Sequence, residues 1–200
     1  MNFNATKAKV ANRGVPPDSF LTELVEWGKS APNEIFVARK DDPHEMDIYT
    51  QIRPILGPWQ SISHRKAAML EVLRVLAGFE SSWRWDCGRD VTNSTSVTPT
   101  TIEAGAWQVS GNSRAFGQDL RDLAPADGNK FQRAMKTDHA LAMEYAARLL
   151  RHSCRSNGPL YKGDERKKTW PKRPELWGDK ESIYPWLSRE SVAEFQSFLS

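Results

Sequence analysis

The chain has 200 residues, enough for one domain that buries a core without the help of disulfides or metal ions. Its 39% hydrophobic and 26% charged residues are typical of a globular protein and exclude a disordered or low-complexity chain. The net charge of +3 favours anionic partners. The sequence contains no nucleic-acid-binding motif and no apolar run near the roughly 20 residues of a membrane span, so we expect neither a nucleic-acid partner nor a membrane span.

The first 30 residues predict one helix after a polar start. Residues 1–16 are polar, and we expect them to be frayed. The segment PPDSFLTELVEWGKS predicts a helix that either begins at Pro17 or is capped by Asp18. Its expected inner side consists of Phe20, Leu21, Leu24, Val25 and Gly28.

The next stretch predicts a strand, a helix and a break. EIFVAR predicts a short strand. EMDIYTQIRPIL predicts a helix that Pro54 kinks or ends. GPWQS then separates this helix from the following one.

The strongest helical pattern runs from about Ser63 to Ser81, with Ser61 or Ser63 as its cap. Met69, Leu73, Leu76 and Glu80 are spaced by four, three and four residues, so they share one apolar face. Glu80 therefore extends the core-facing stripe by one turn and does not belong to the solvent face.

The remaining elements complete a mainly α (α+β) prediction with a small β-hairpin insertion. DVTNSTSVTPTT, residues 90–101, predicts a polar hairpin, and AGAWQVS is expected to re-enter the core. SRAFGQDLRDLAP predicts a short helix that ends before Pro125. A long helix is expected over about 130–153, and SRESVAEFQSFL predicts a last helix capped by Ser188 or Ser191. Between them lies a loop rich in Pro, Lys and Trp, whose basic run over 166–173 is expected to be solvated.

A carboxyl group at the buried end of a helix is suited to proton donation. Burial disfavours its charged form, and so does the negative end of the helix dipole, so both raise its pKa. A glutamic acid that is neutral near pH 6 is the proton donor that glycosidic bond cleavage requires. The alternatives for Glu80 are a solvent-facing side chain or an ion pair with Arg84.

Two short motifs around this carboxylate resemble a known superfamily. The segment ESSW at Glu80, followed some twenty residues later by EAGAWQVS, resembles the lysozyme-like superfamily, with goose-type lysozymes and lytic transglycosylases as the nearest likeness. The resemblance implies a lysozyme-like helical fold in which Glu80 is the catalytic acid and Ser81 follows it. Gly105, Trp107 and Gln108 then match the stretch that lines the glycan.

The resemblance covers roughly residues 64–160 and departs from the family in one motif. The Ala-Tyr-Asn-Ala-Gly motif of typical transglycosylases is absent, and Ser-Asn-Gly-Pro at 156–159 stands near its place, with Asn157 as the candidate substrate contact. We expect residues 61–200 to form the catalytic domain and residues 1–60 to be a helical extension packed on it.

A second carboxylate would decide the reaction type, because hydrolysis needs a base or nucleophile that a transglycosylase does not. Glu103 is the first candidate because it precedes the matched stretch. Asp86 and Asp90 are the others, although either could pair with a nearby arginine instead. Ser110 and Asn112 are candidates for orienting water or an acetamido group, or for capping the next helix.

Aromatic side chains near these carboxylates are candidate platforms for sugar rings, since indole faces pack on apolar C–H faces. The candidates are Trp83, Trp85 and above all Trp107, with Tyr145 and Tyr161 as weaker ones. A core role is the stronger interpretation for Tyr145.

These observations predict a peptidoglycan-cleaving glycosidase, a muramidase that hydrolyses β-1,4 bonds between N-acetylmuramic acid and N-acetylglucosamine. Its partner would be the peptidoglycan glycan strand, since a basic surface suits an anionic wall; neutral chitin stays open as a substrate. The alternatives are a lytic transglycosylase that gives 1,6-anhydro products, a non-catalytic wall-glycan-binding module, and a structural helical protein.

Location and cofactors follow from the same pattern. The N-terminus lacks the apolar core of a secretory signal, so a wall-acting protein would reach the periplasm or the extracellular wall by specialised export, as an antibacterial effector, or by release on lysis, as an endolysin. An effector would have a cognate immunity protein as a further partner. Cys87 and Cys154 form either one disulfide or two buried thiols, and no cofactor or metal site is expected.

Overall fold

The computed structural model describes residues 1–38, 47–152, 160 and 182–200. Within these ranges the chain is mainly helical with one two-stranded antiparallel sheet, which confirms the predicted fold class. The elements are α1 (Asp18–Ser30), α2 (Ile48–Leu56), α3 (Ile62–Ser81), β1 (Glu103–Ala104), β2 (Val109–Ser110), α4 (Gln118–Leu123), α5 (Gly128–Thr137), α6 (His139–His152) and α7 (Arg189–Phe198).

Helix α3 is the central element of the fold. It begins at Ser61, whose hydroxyl oxygen accepts the backbone N–H of His64 at 3.1 Å. Every residue from Ala67 to Gly78 is buried, so the helix has no solvent-facing side over three turns. Helices α1, α6 and α7 pack against it.

Two fully buried charged residues in the middle of α3 form an ion pair with each other. Arg74 donates to both carboxylate oxygens of Glu71, at 2.7 and 2.8 Å, and both side chains are fully buried. Glu71 also accepts the backbone N–H of Ser188 at 3.0 Å, and Arg74 donates to the carbonyl oxygen of Ala8 at 3.1 Å. The pair therefore joins the middle of α3 to the N-terminal segment and to the start of α7.

The N-terminal segment is ordered, so the expectation of a frayed end was wrong. Phe3, Thr6 and Val10 are buried. The carboxylate of Glu194 in α7 accepts the backbone N–H groups of Asn4, Ala5 and Thr6 at 2.8, 3.2 and 2.7 Å. A carboxylate that binds three backbone donors holds a polar segment that has no apolar periodicity of its own.

The structure confirms the prediction for α1, since all five residues expected on its inner side are buried. The strand predicted from EIFVAR is wrong: Asn33–Ile35 forms a 3₁₀ turn, and Ile35 and Phe36 are both buried, without the alternation of a strand. In α2, Pro54 lies inside the last turn, and the helix continues to Leu56.

The predicted hairpin over residues 90–101 is also wrong, because the two strands lie just after it. Glu103 pairs with Ser110 and Ala104 with Val109. Residues 90–101 form successive turns instead. Asp90 accepts the backbone N–H of Thr92 at 2.8 Å, and Asn93 accepts that of Thr95 at 3.0 Å. Such local side-chain to backbone bonds compete with strand pairing.

The long helix predicted over 130–153 is divided into α5 and α6. The break is at Asp138, whose carboxylate accepts the backbone N–H of Leu141 at 3.0 Å and so caps α6. Helix α7 confirms its prediction, with Ser188 as the cap: its hydroxyl accepts the N–H of Ser191 at 3.1 Å.

The described residues before position 61 share one hydrophobic cluster with the later ones. Helix α1 contacts both α3 and α6. The division of the chain at residue 60 stays a prediction.

No helix in the described ranges is long and apolar enough to cross a membrane.

The buried ion pair yields a stability prediction. Arg74→Met should lower the free energy of unfolding by about 3–5 kcal/mol, because it leaves the Glu71 carboxylate buried without its cation. The double variant Glu71→Leu/Arg74→Met should recover part of that loss. Urea denaturation of the three proteins measures the difference, and a single variant as stable as the unmodified protein would contradict the role given to the pair.

Candidate active site

The chain leaves α3 through a sharp turn that fixes the end of the helix. Ser82 and Trp83 both have left-handed backbones, with φ of 55° and 60°. The indole of Trp83 folds back onto the helix and donates to the carbonyl oxygen of Arg74 at 2.8 Å. A Cβ at Gly78 would lie 2.8 Å from this ring. The absence of a side chain at Gly78 therefore lets the indole pack against the helix. Glu80 is therefore held at a rigid helix end.

Ser81 joins this helix end to the loop of the β-hairpin. Its hydroxyl donates to the carbonyl oxygen of Ala106 at 2.8 Å and accepts the backbone N–H of Arg84 at 3.1 Å. The side chain is buried. The structure thus gives Ser81 a positioning role, and the predicted contact with substrate is not available to its buried hydroxyl.

Gly105 and Gln108 shape the turn between the two strands. Gly105 has a φ of +76°, and a Cβ there would collide with the carbonyl oxygen of Met135. Its N–H donates to the carbonyl oxygen of Cys87 at 2.8 Å, which fastens the hairpin to the loop after α3. Gln108 also has a left-handed backbone, with a φ of 46°, and its amide donates to the carbonyl oxygen of Gly105 at 3.0 Å.

These elements enclose an open cleft of about 410 Å³. It brings together both predicted catalytic carboxylates: one from the end of α3 and one from β1. Its lining consists of Glu80, Cys87, Gly88, Arg89, Asp90, Asn93, Glu103 and Gln108. Predicted residues separated by more than twenty positions in sequence are thus neighbours in one site.

The electrostatics of the cleft favour the protonated form of Glu80. Burial raises the pKa of Glu80 to about 7, with further raising by the charges of Glu103 and Asp90, while Arg13 acts in the opposite direction. A carboxyl group that is half protonated near neutral pH can donate a proton there and accept it back later.

Glu103 is held in a fixed orientation by residues that the sequence interpretation missed. One carboxylate oxygen accepts from the Asn93 amide at 2.7 Å, and the other accepts from the hydroxyl of Ser96, which is fully buried. Both oxygens act as acceptors, the role of an ionised carboxylate. The polar run NSTS at residues 93–96 is the sequence signal for these contacts, although its residue types also predict a hairpin.

The burial of Trp83 and Trp107 contradicts the prediction that these side chains are platforms for sugar rings. Trp107 is 4% exposed, and its indole N–H donates to the carbonyl oxygen of Leu73 at 2.9 Å, so it lies in the core and cannot stack on a sugar. Trp83 is buried in the same way. Trp85 is half-buried and stacks on the ring of His139, with 3.9 Å between ring centroids. Tyr145 is fully buried, as the core interpretation predicted.

The other candidates lie outside the cleft or outside the described residues. The Ser110 hydroxyl donates to the side-chain oxygen of Asn112 at 2.6 Å, and neither residue lines the cleft. Asp86 is exposed and also does not line it. Asn157, Tyr161, Cys154 and the basic run over 166–173 fall outside the described residues. Cys87 carries a free thiol, 3.4 Å from the Arg84 guanidinium.

No group of three or more His, Cys, Asp or Glu side chains within the described ranges is arranged to bind a metal ion. Comparisons of the chain with protein-family models, with curated proteins and with solved structures gave no match. The functional assignment therefore depends on the residues and geometry of the cleft.

The raised pKa of Glu80 makes stability depend on pH. The folded value of about 7 exceeds the ordinary 4.5, so between these pH values the folded state binds more protons than the unfolded state. Stability is then lost as pH rises through this window, by at most about 3 kcal/mol. Glu80→Gln, which cannot ionise, should become progressively more stable than the unmodified protein between pH 4.5 and 7.5.

Chemical denaturation at several pH values measures this difference. Glu26→Gln is the matched control because Glu26 is exposed on α1 and paired with Lys29. It should show no comparable pH-dependent gain. A constant difference between Glu80→Gln and the unmodified protein across the pH range would show that Glu80 is solvated in the folded state.

Proposed function

We propose that this protein is a muramidase that hydrolyses the β-1,4 bonds between N-acetylmuramic acid and N-acetylglucosamine in peptidoglycan. The observation that carries the proposal is the pairing, in one open cleft, of a protonatable Glu80 with an oriented Glu103. Retaining and inverting glycosidases both use two carboxyl groups that flank the scissile bond.

The two carboxylates have separate roles in this account. Glu80 donates its proton to the glycosidic oxygen as the bond to the leaving sugar breaks. Glu103, held by Asn93 and Ser96, stabilises the positive charge that develops on the sugar ring and orients the attacking water. Gln108, which also lines the cleft, supplies a polar contact to the glycan.

The proposed substrate accounts for the open shape and the charge of the protein. A polymeric glycan needs a cleft that is open at its ends, and a net charge of +3 suits an anionic wall. To hydrolyse peptidoglycan, the protein would have to reach the periplasm or the extracellular wall. We propose that the protein is a bacteriolytic effector or an endolysin, and an effector would have a cognate immunity protein.

A lytic transglycosylase is the second candidate. In that reaction the hydrogen bonds from Asn93 and Ser96 would hold Glu103 as a structural group, because attack by the sugar's own hydroxyl needs no second carboxylate. A non-catalytic glycan-binding module is less well supported, since a buried carboxyl group without a task only costs stability.

Glu80→Gln should lower wall-lytic activity by a factor of about 10²–10⁴ while leaving the fold intact, because it removes the proton donor and keeps the shape of the side chain. Release of dye from labelled peptidoglycan measures activity, and circular dichroism checks the fold. Glu26→Gln is the control and should retain full activity. A folded Glu80→Gln protein with full activity would exclude Glu80 as the acid.

Glu103→Gln should lower kcat and kcat/KM together, since the proposed interaction is made in the transition state. Ser96→Ala removes one of the two donors that orient Glu103 and should have a smaller effect of the same kind. Steady-state kinetics on soluble glycan fragments separate kcat from KM. Unchanged kcat in Glu103→Gln would remove Glu103 from the mechanism and favour the transglycosylase.

A further inference from the structure

Gly105 holds two separate elements side by side next to the cleft. Its backbone N–H donates to the carbonyl oxygen of Cys87, in the loop after α3, at 2.8 Å. The carbonyl oxygen of Met135, in α5, occupies the position that a Cβ of Gly105 would need. The residues that follow in each element, Gly88 and Lys136, are therefore brought close together.

The ammonium group of Lys136 lies against the lining of the cleft. A Cβ at Gly88, which lines the cleft, would be 3.0 Å from the Nζ atom of Lys136 and 3.9 Å from its Cε atom. Because Gly88 has no side chain, the ammonium can approach the backbone there. Lys136 is half-buried, and within the described ranges its ammonium forms no hydrogen bond or ion pair.

Arg89 supplies a second cation at the same place. It follows Gly88 directly, is exposed, and is one of the residues that line the cleft. In the part of the chain that the structure describes, its guanidinium has no hydrogen-bonding or ion-pairing partner. Two cations therefore adjoin Gly88, one from the loop after α3 and one from α5.

The carboxylates of the cleft are bound by uncharged donors instead. Glu103 accepts from Asn93 and Ser96. Asp90 accepts from the backbone N–H and the hydroxyl of Thr92, at 2.8 and 2.6 Å. Among the described residues no ion pair joins either carboxylate to the two cations beside Gly88, so both cations are available to an anion that enters the cleft.

We propose that Arg89 and Lys136 form a carboxylate-binding subsite around Gly88, which selects glycans that carry carboxylate groups over neutral glycans. The inference rests on the proposed function and deepens it, because it names the preferred substrate class. A guanidinium binds a carboxylate through two parallel hydrogen bonds, and an ammonium adds a third, charge-assisted one. The two cations would also offset the repulsion between an anionic glycan and the carboxylates of the cleft.

The test measures binding by isothermal titration calorimetry in the Glu80→Gln protein, so that the ligand is not consumed. The ligands are soluble peptidoglycan fragments with free carboxylates, and the same fragments after their carboxylates are converted to methylamides. Adding Arg89→Gln or Lys136→Gln should raise Kd for the free carboxylates about tenfold. Kd for the methylamides should stay unchanged, which also shows that the variants are folded.

Two further variants serve as controls. Lys130→Gln removes an exposed lysine from the same helix by the same substitution and should change neither Kd. Arg89→Lys should keep part of the preference for free carboxylates, since it retains the charge and loses the two parallel hydrogen bonds.

Three results would overturn the inference. They are an unchanged Kd for the free carboxylates in the Arg89→Gln/Lys136→Gln protein, an equal loss of affinity for both ligands, and a parent protein that does not prefer the free carboxylates. The proposed function depends on cleavage and fails separately: if the unmodified protein bound the free carboxylates through these two residues and cleaved no peptidoglycan, the subsite would stand and the muramidase proposal would be refuted.

Discussion

The enclosure of α3 from Ala67 to Gly78 is the constraint on which the rest of the structure depends. A helix without a solvent face has to pair every charged group that it carries, because an unpaired buried charge costs several kcal/mol. Glu71 does so with Arg74 inside the same helix. Among the residues that the structure describes, Glu80, at the end of the helix, has no such bidentate partner, and burial raises its pKa to about 7. The burial that stabilises the core thus also raises the pKa of the group that we propose as the proton donor.

The tryptophans support this enclosure instead of binding sugar. Trp83 and Trp107 donate from their indole nitrogens to the carbonyl oxygens of Arg74 and Leu73, both in α3. These bonds satisfy the polar edge of each ring while the remainder packs as apolar surface. The two rings thus cover buried turns of α3.

The sequence predicted the features that depend on side-chain periodicity. The apolar stripe of α3, the inner face of α1 and the meeting of Glu80 with Glu103 follow from spacing or from the resemblance of two motifs. The features that the sequence did not predict depend on hydrogen bonds between side chains and backbone N–H groups. Glu194 orders the N-terminal segment through three N–H groups that lie far away in sequence, and a single sequence gives no sign of this pairing. Asp138 divides a helix by capping its second half, and here the local signal was overlooked because the apolar spacing continues across it.

The most direct test of the account is mass spectrometry of peptidoglycan digested in water enriched in oxygen-18. The account predicts soluble fragments with a reducing end that carries one oxygen-18 atom, since water attacks the sugar while Glu80 protonates the leaving oxygen. Fragments that end only in 1,6-anhydro sugars would contradict hydrolysis and assign the cleft to a transglycosylase. Release of no fragments by the folded protein between pH 5 and 8 would contradict the catalytic assignment altogether.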